Sequence, residues 1–327
     1  MFKALVLEQN DGKTLAEVRQ LEVSDLPDED VLVAVDYSSL NYKDGLAVTG
    51  TGKIIRDFPM VPGVDLVGKV IESRSEEFKP GDAVVMTGWS VGERYWGGYT
   101  QQAKMKAEWL VPLPKGLNAR QAMTIGTAGL TSMLCIMALE EGGVTPDSGE
   151  VVVTGAAGGV GSVAVALLSR LGYKVAAVTG RESTHDYLRK LGATTLLSRE
   201  EMSAKSRPLE AQRWSGAIDT VGDTTLARIL AEMDYGGTVA ACGLAGGFKL
   251  PTSVMPFILR NVRLQGVDSV MCPKERRLQA WNRLSELLPA SFYEDISEVV
   301  SLEQVPEAAE KIVAGQIQGR TIVDPNL

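Results

Sequence analysis

Val151-Val152-Val153-Thr154-Gly155-Ala156-Ala157-Gly158-Gly159-Val160-Gly161 is the stretch on which the fold turns. A run of β-branched residues passes directly into small ones, and residues 161–171 beyond them are apolar and helix-forming. Small residues let a backbone turn sharply and approach a pyrophosphate, while the next helix presents free N–H groups and the positive end of its dipole. The dinucleotide fingerprint reads Gly-x-Gly-x-x-Gly, and here Ala156 stands at its first glycine. By itself such a loop is compatible with an ordinary turn. The strand before it, the helix after it and a second strand at 174–179 supply the context of a nucleotide-binding loop.

Reading outward, strand-like runs at 150–154, 174–179, 217–220, 238–242 and 262–267 alternate with helical patterns at 161–171, 184–191 and 224–233. That alternation predicts a parallel sheet covered by helices on both faces. Residues 119–140 favour helix, with Gly126 and Gly129 expected to break it in two. Upstream, short apolar runs at 3–7, 31–35, 67–71 and 83–86 are separated by turns such as Pro62-Gly63 and Pro80-Gly81. Many short strands with frequent turns predict a compact β domain. Residues 273–327 hold amphipathic helical segments and a last strand near 321–323, which is expected to return to the N-terminal domain.

A length of 327 residues favours two domains over one core. The 33 basic and 41 acidic side chains give a net charge of −8 with no basic run, which argues against nucleic acid as the main ligand. There is no unbroken apolar run of membrane-spanning length, and residues 1–12 lack a signal peptide's apolar core. Cys135, Cys242 and Cys272 are odd in number and far apart, as reduced thiols in a cytoplasmic protein would be.

The end of the second strand of a dinucleotide fold reports which nucleotide is bound. An NAD site places Asp or Glu there to accept from the ribose hydroxyls. This chain has Thr179-Gly180-Arg181-Glu182-Ser183. Arg181 is suited to a 2′-phosphate, with Thr179 and Ser183 as hydroxyl donors, so NADP(H) is the expected cofactor. Glu182 is read as pointing away, and Arg207 as a weaker candidate for the adenosine end. The plainer reading of Arg181 is a solvated loop residue.

His185 is the sole histidine in the chain. Catalytic zinc needs three protein ligands and structural zinc needs clustered ones, so no metal is expected. His185 reads as a surface residue near the adenosine phosphate, and Ser-His-Asp or Cys-His catalysis is equally hard to build from it.

With these residues in view, the chain resembles the zinc-independent, quinone oxidoreductase branch of the medium-chain dehydrogenase/reductase superfamily, and within it the acrylyl-CoA reductase (NADPH) subgroup. The resemblance runs from end to end. Its carriers include Ser39-Leu40-Asn41-Tyr42-Lys43-Asp44, Val61-Pro62-Gly63-Val64-Asp65, Trp96-Gly97-Gly98, the nucleotide loop, Ala217-Ile218-Asp219-Thr220 and Cys242-Gly243-Leu244-Ala245-Gly246-Gly247. The segment from Met255 to Val270 is the most subgroup-specific. Asn41 stands where zinc-dependent relatives carry a cysteine ligand, and Val64-Asp65 replaces their His-Glu.

The resemblance implies a Rossmann-type doubly wound parallel sheet inserted into a GroES-like β-rich catalytic domain. The boundaries expected are 1–118 for the catalytic domain, 119–270 for the NADP-binding domain and 271–327 for a segment returning to the first. It implies catalytic roles for Asn41, Tyr42 and Asp44, with Lys43 and Asp44 as an orienting ion pair. Cofactor contacts are implied at Tyr42, Thr131, Ala157, Gly158, Gly159, Val160, Thr179, Gly180, Arg181, Ser183, Leu244, Ile258, Ser269 and Arg320. A histidine is expected of the subgroup where Tyr95 stands, which leaves that position without an assigned role.

The implied reaction moves a hydride from NADPH to the β-carbon of a short 2-enoyl-CoA, acryloyl-CoA first, and needs a donor for the enolate oxygen. The Asn41 amide, a backbone N–H or the cofactor ribose hydroxyl are the candidates, with Tyr42 or water to protonate the α-carbon. Turn chemistry is the plainer account of Asn41 and Asp44, and cofactor packing that of Tyr42. Trp89, Tyr95, Trp96 and Tyr99 are candidates for a pocket wall or for loop packing. Arg94, Lys104 and Arg260 are candidates for the coenzyme A phosphates, or solvated surface. Reduction of quinones or α,β-unsaturated ketones is the alternative, and a non-enzymatic NADPH-binding sensor or structural protein a second. Homodimerisation is implied through the edge strand at 262–267.

Overall fold

The computed structural model describes residues 1–294 and 296–327. The chain divides into two compact units, residues 1–127 with 270–327 and residues 128–269.

The first unit opens with a hairpin of β1 (Phe2–Asn10) and β2 (Lys13–Leu21). There follow β3 (Val31–Leu40), α1 (Tyr42–Thr49), β4 (Asp65–Ser73), β5 (Ala83–Thr87), β6 (Gln102–Met105) and β7 (Leu110–Pro112). Val31, Val33, Val35, Leu66, Val84 and Met86 alternate inward from β3, β4 and β5 onto a core shared with Met105, Trp109 and Leu110. Burying one face of each strand fixes the register, because a one-residue slip would turn every apolar side chain to water.

Next comes α2 (Ala119–Glu141), whose chain crosses from the first unit to the second. The helix is in two pieces as expected, and the break lies at Gly126 alone, at φ 50 and ψ −157, while Gly129 stays helical. By length and composition α2 is apolar enough to cross a membrane, yet 94% of its most apolar window is buried in protein.

The second unit carries β8 (Glu150–Val153), α3 (Gly159–Arg170), β9 (Lys174–Thr179), α4 (His185–Lys190), β10 (Thr195–Ser198) and α5 (Arg199–Ser203). It continues with β11 (Trp214–Asp219), α6 (Asp223–Glu232), β12 (Met233–Ala241), α7 (Met255–Arg260) and β13 (Arg263–Gly266). All pairings are parallel, in the order β10-β9-β8-β11-β12-β13. The order reverses between β8 and β11, the switch point at which such sheets open a crevice beyond the strands' carboxyl ends. Val151, Val152 and Val153 are wholly buried, as a central strand covered on both faces must be.

The chain then returns to the first unit with α8 (Lys274–Leu287), β14 (Ser297–Ser301), α9 (Val305–Val313) and β15 (Arg320–Asp324). β15 pairs antiparallel with β3 and parallel with β14, inside a sheet ordered β14-β15-β3-β4-β5-β7. From α8, the buried Arg277 donates to Thr87 O and Thr87 Oγ1 at 2.8 and 2.7 Å and lies 5.0 Å over the Trp89 ring. It thereby pins the end of β5 where Trp89 and Ser90 adopt positive φ, a strained arrangement for side-chain-bearing residues.

Candidate functional site

In the first unit the chemistry gathers where β3 runs into α1. Asn41 is the N-cap of α1, and Asp44 at the third helical position closes a reciprocal capping box. The turn chemistry that these residue types favour is therefore real. Behind it lies a polar cluster built from distant parts of the chain. Asp65 accepts from Ser39 N and Ser39 Oγ, from Asn41 Nδ2 at 3.1 Å and from Thr127 N at 2.9 Å. Arg320 donates to Ser39 Oγ at 2.6 Å, to Asn41 Oδ1 at 3.3 Å and to Thr124 O at 3.0 Å.

The break at Gly126 makes this cluster possible. A Cβ there would lie within 3 Å of Ser39 Oγ, Asp65 Oδ2 and Arg320 Nη2, and its φ of 50 is one that glycine adopts without strain.

Asp44 is 1% exposed and accepts from Asn41 N at 2.9 Å and Val64 N at 3.0 Å. Burial, with the Asp65 charge beside it, pushes its carboxyl up to about 7, although the Asn41 and Val64 donors pull the other way. The expected ion pair with Lys43 does not form. Successive helical residues point about 100° apart, and Lys43 Nζ pairs instead with Glu93. A direct catalytic place for Asp44 is corrected likewise, since a carboxyl sealed behind Asn41 does not reach a ligand.

The Asn41 amide nitrogen is shared among Ser39 O, Asp44 Oδ2 and Asp65 Oδ2, so its two protons are directed into the protein. Tyr42, at 41% exposure, has no hydrogen bond among the described residues and is the outward side chain of this turn.

The aromatic loop divides. Tyr99 is wholly buried and donates to Ser39 O, so it is core and not pocket wall. Trp96 Nε1 donates to Pro59 O. Trp89 packs on the β core. Tyr95, in the place where a histidine was expected, is 38% exposed, stacks on Trp109 with ring centres 4.8 Å apart and sits under Lys106. Arg94 is exposed and Lys104 half-buried on β6.

In the second unit the loop between β8 and α3 is built for close approach. A Cβ on Gly161 would stand 2.3 Å from Gly155 O and 2.6 Å from Ala156 Cα, so only glycine lets α3 pack against the loop. Gly158 caps α3 without a side chain, leaving the first-turn N–H groups of Gly159 and Val160 to an external anion. Thr154 Oγ1 donates to Asp219 Oδ1 at 2.7 Å and accepts from Thr220 N, tying the ends of β8 and β11 together. Ser132 Oγ donates to Val160 O and fixes the loop from the other side.

At the end of β9, Arg181 is half-buried and its carbonyl accepts from Thr184 Oγ1 at 2.7 Å. Thr179 is buried and its hydroxyl is shared with Thr184 Oγ1 and Arg181 N, so it shapes the loop and is not a free phosphate donor. Ser183 is exposed, and so is Glu182; His185 begins α4. A cavity of about 440 Å³ opens beyond β12 and β13, lined by Cys242, Gly243, Leu244, Gly266, Val267 and Asp268. Beside it in sequence, Ser269 Oγ accepts from Thr131 Oγ1 at 2.7 Å, bringing two of the expected cofactor contacts together. Ile258 is 73% exposed on α7.

Two of the arginine candidates have protein partners. Arg207 Nη2 and Nε both donate to Glu210 Oε2, at 2.7 and 3.1 Å. Arg260 donates to Ala231 O, Met233 O and Glu210 O, closing the end of α6. Arg320, expected as a cofactor contact, is buried in the Asn41 cluster at 2% exposure, behind the Asn41–Tyr42 turn. Sequence reading singled out neither Asp65 nor Ser39 as site residues. The one available signal was the replacement of His-Glu by Val64-Asp65. Among the described residues no cluster of His, Cys, Asp and Glu is able to hold a metal ion.

Residues 27–115 match the alcohol dehydrogenase GroES-like domain, and residues 159–286 the zinc-binding dehydrogenase domain. The chain belongs to the medium-chain dehydrogenase/reductase family, in its zinc-independent branch. It is 64% identical to the probable acrylyl-CoA reductase AcuI of Escherichia coli over 99% of this chain and 100% of that protein. It is 54% identical to acrylyl-CoA reductase AcuI of Ruegeria pomeroyi, with both chains covered completely. Among solved structures, the yhdH oxidoreductase of Salmonella enterica in complex with NADP superimposes with a TM-score of 0.97 at 63% identity, covering 98% of this chain and 99% of that one.

Proposed function

We propose that this chain reduces the carbon–carbon double bond of a short 2-enoyl-CoA, acryloyl-CoA to propanoyl-CoA, with NADPH and without a metal. The end-to-end identity with acrylyl-CoA reductases carries the reading. Two features of the chain support it: the Arg181 loop suits a 2′-phosphate, and a hydrogen-bonded cluster lies behind Asn41 where zinc-dependent relatives need metal ligands.

NADPH, when bound, supplies the hydride. The residues fit that cofactor, with the glycine cradle and the α3 N-terminus at the pyrophosphate, Arg181 and Ser183 at the 2′-phosphate, and Leu244, Ile258, Ser269 and Thr131 toward the nicotinamide end. As hydride reaches the β-carbon, charge develops on the thioester oxygen, and a preorganised donor there contributes about 3 kcal/mol. With the Asn41 protons turned inward, a backbone N–H or the cofactor ribose hydroxyl is the donor in this proposal. Asn41, Asp44, Asp65 and Arg320 are positioning residues that hold the turn. Tyr42 is the packing surface for the cofactor, and the α-carbon takes its proton from water or the Tyr42 phenol.

The protein is proposed to be a cytoplasmic homodimer. β13 is a sheet edge, and the adjoining segment exposes Val254, Ile258 and Leu259 at 64, 73 and 56%, an apolar face that favours a partner.

The test is NADPH oxidation with acryloyl-CoA, crotonoyl-CoA and a simple quinone, each beside an NADH control. Turnover of acryloyl-CoA with NADPH supports the assignment. Turnover of quinone and of neither thioester would replace it with quinone reduction, and binding of NADPH without any turnover would leave a non-enzymatic binding protein.

A further inference from the structure

Two free cysteines that the proposed reaction does not use lie together in the second unit. Cys242 follows β12 and lines the cavity of about 440 Å³ with Gly243 and Leu244. Its backbone N–H and its thiol both donate to Asp219 O, at 2.9 and 3.5 Å, which holds the sulfur at the carboxyl end of the sheet. Cys135 belongs to α2 and is wholly buried.

The packing of α2 brings the two thiols level. Its far end meets the start of β12, where a Cβ on Gly142 would stand 2.2 Å from Thr238 Oγ1. Toward its near end, Thr131 Oγ1 reaches Ser269 Oγ beyond β13, and Ser132 Oγ reaches Val160 O. The helix therefore runs back along β12 toward the carboxyl ends of the strands. From Gly142 to Cys135 a helix rises about 10 Å, and from Thr238 to Cys242 a strand rises about 13 Å. The two side chains meet there: a hydrogen bond to Cys242, and then burial, hold the Cys135 thiol well above the usual thiol range.

The pair is asymmetric. Cys242 is half-buried at the cavity, and Cys135 sits behind it with no exposed surface. We propose that Cys135 and Cys242 are a modification site for hydroperoxides, closing to a reversible disulfide that lowers NADPH affinity. With hydrogen peroxide, Cys242 Sγ attacks one oxygen, the O–O bond breaks, and its proton leaves with the departing hydroxide as water. The sulfenic acid so formed is attacked by Cys135 Sγ, whose proton leaves with the displaced hydroxyl as a second water. Two thiols are oxidised to one S–S bond, and one peroxide is reduced to two waters. An S–S bond is about 2.0 Å long, shorter than any unbonded contact between sulfurs, so one sulfur has to move. Because α2 is tied by Ser132 and Gly142, Cys242 gives up Asp219 O and draws the Gly243–Leu244 lining with it. The disulfide is independent of the NADPH reading above, and its effect on the cofactor rests on that reading.

The full chain, reduced and then exposed to hydrogen peroxide, tests this by non-reducing peptide mapping and NADPH titration calorimetry. The expected product is about 2 Da lighter, joins the Cys135 and Cys242 peptides, leaves Cys272 free and reverts with dithiothreitol. Cys135→Ser is expected to stop at a sulfenic acid on Cys242, which dimedone captures. The bridged chain is expected to bind NADPH about tenfold more weakly than the reduced one. Thiols that all survive peroxide, a bridge to Cys272, or sulfinic acid at Cys242 beside an intact Cys135 thiol would each overturn the pair. Unchanged NADPH affinity in the bridged chain would overturn the effect on the cofactor. A reduced chain without affinity for NADPH would sink the cofactor reading and leave the disulfide standing.

Discussion

The Asn41 amide nitrogen lies 3.1 Å from Asp65 Oδ2, across 24 positions of sequence, and this contact directs the amide into the protein. The same oxygen accepts from Thr127 N, released for that purpose by the break at Gly126. Asp65→Asn puts an amide N–H against donors that now meet a carboxylate oxygen. Equilibrium unfolding in urea is expected to show a loss of about 2–4 kcal/mol, and kcat is expected to fall at least about tenfold as the Asn41–Tyr42 turn loosens. Wild-type stability and kcat together would remove Asp65 from the positioning residues.

Asp44 makes the fold pH-sensitive. Its carboxyl lies at about 7 in the folded chain against 3.8 when unfolded, so folding takes up a proton. The stability linked to that proton is complete below about pH 4 and is lost as pH rises through about 7, on the order of a few kcal/mol. The groups facing it are Asp65, Tyr99 and the Asn41 and Val64 amides. Asp44→Asn is expected to flatten the decline between about pH 4 and 7 in denaturant midpoints taken across that range. An undiminished slope would assign the proton to another group.

Gly161 admits no side chain. Gly161→Ala places a methyl 2.3 Å from Gly155 O and 2.6 Å from Ala156 Cα, and both of those atoms belong to backbone that does not yield cheaply. NADPH affinity is expected to fall on the order of tenfold to a hundredfold, with far-UV circular dichroism unchanged. Unaltered affinity would show that the loop has more slack than its contacts indicate.

Arg277 holds the strained corner at Trp89 and Ser90. Arg277→Lys keeps the charge but removes the paired bonds to Thr87 O and Thr87 Oγ1 and the guanidinium face over Trp89. A stability loss of about 2–4 kcal/mol is expected in thermal or urea unfolding. Indifference to the change would mean that neighbouring packing alone sustains those two positive φ angles.

The parts of the fold and site that could be read from the sequence are local ones. The nucleotide loop announces itself within eleven consecutive residues, and one histidine in the chain leaves too few ligands for zinc. What escaped depends on pairing at a distance. β10 is four residues long, with no pattern of its own, and becomes a strand by lying along β9. The Lys43–Asp44 pair that the resemblance implies does not form, because a helix turns adjacent residues apart and Lys43 pairs with Glu93. Arg320 meets Asn41 across 279 positions, a contact that no spacing rule encodes. The Arg207–Glu210 pair is by contrast local, an acid three residues on that accepts from both Nε and Nη2.

The place of β15 has a consequence in time. Residues 320–324 lie between β14 and β3, so the sheet of the first unit lacks an interior strand until these residues, which follow the whole second unit, are made. Residues 128–269 form a compact unit of their own and leave the ribosome earlier. During synthesis the nucleotide-binding unit is complete in sequence before β15 exists, and the Ser38–Leu40 end of β3 waits for a strand that emerges after that unit.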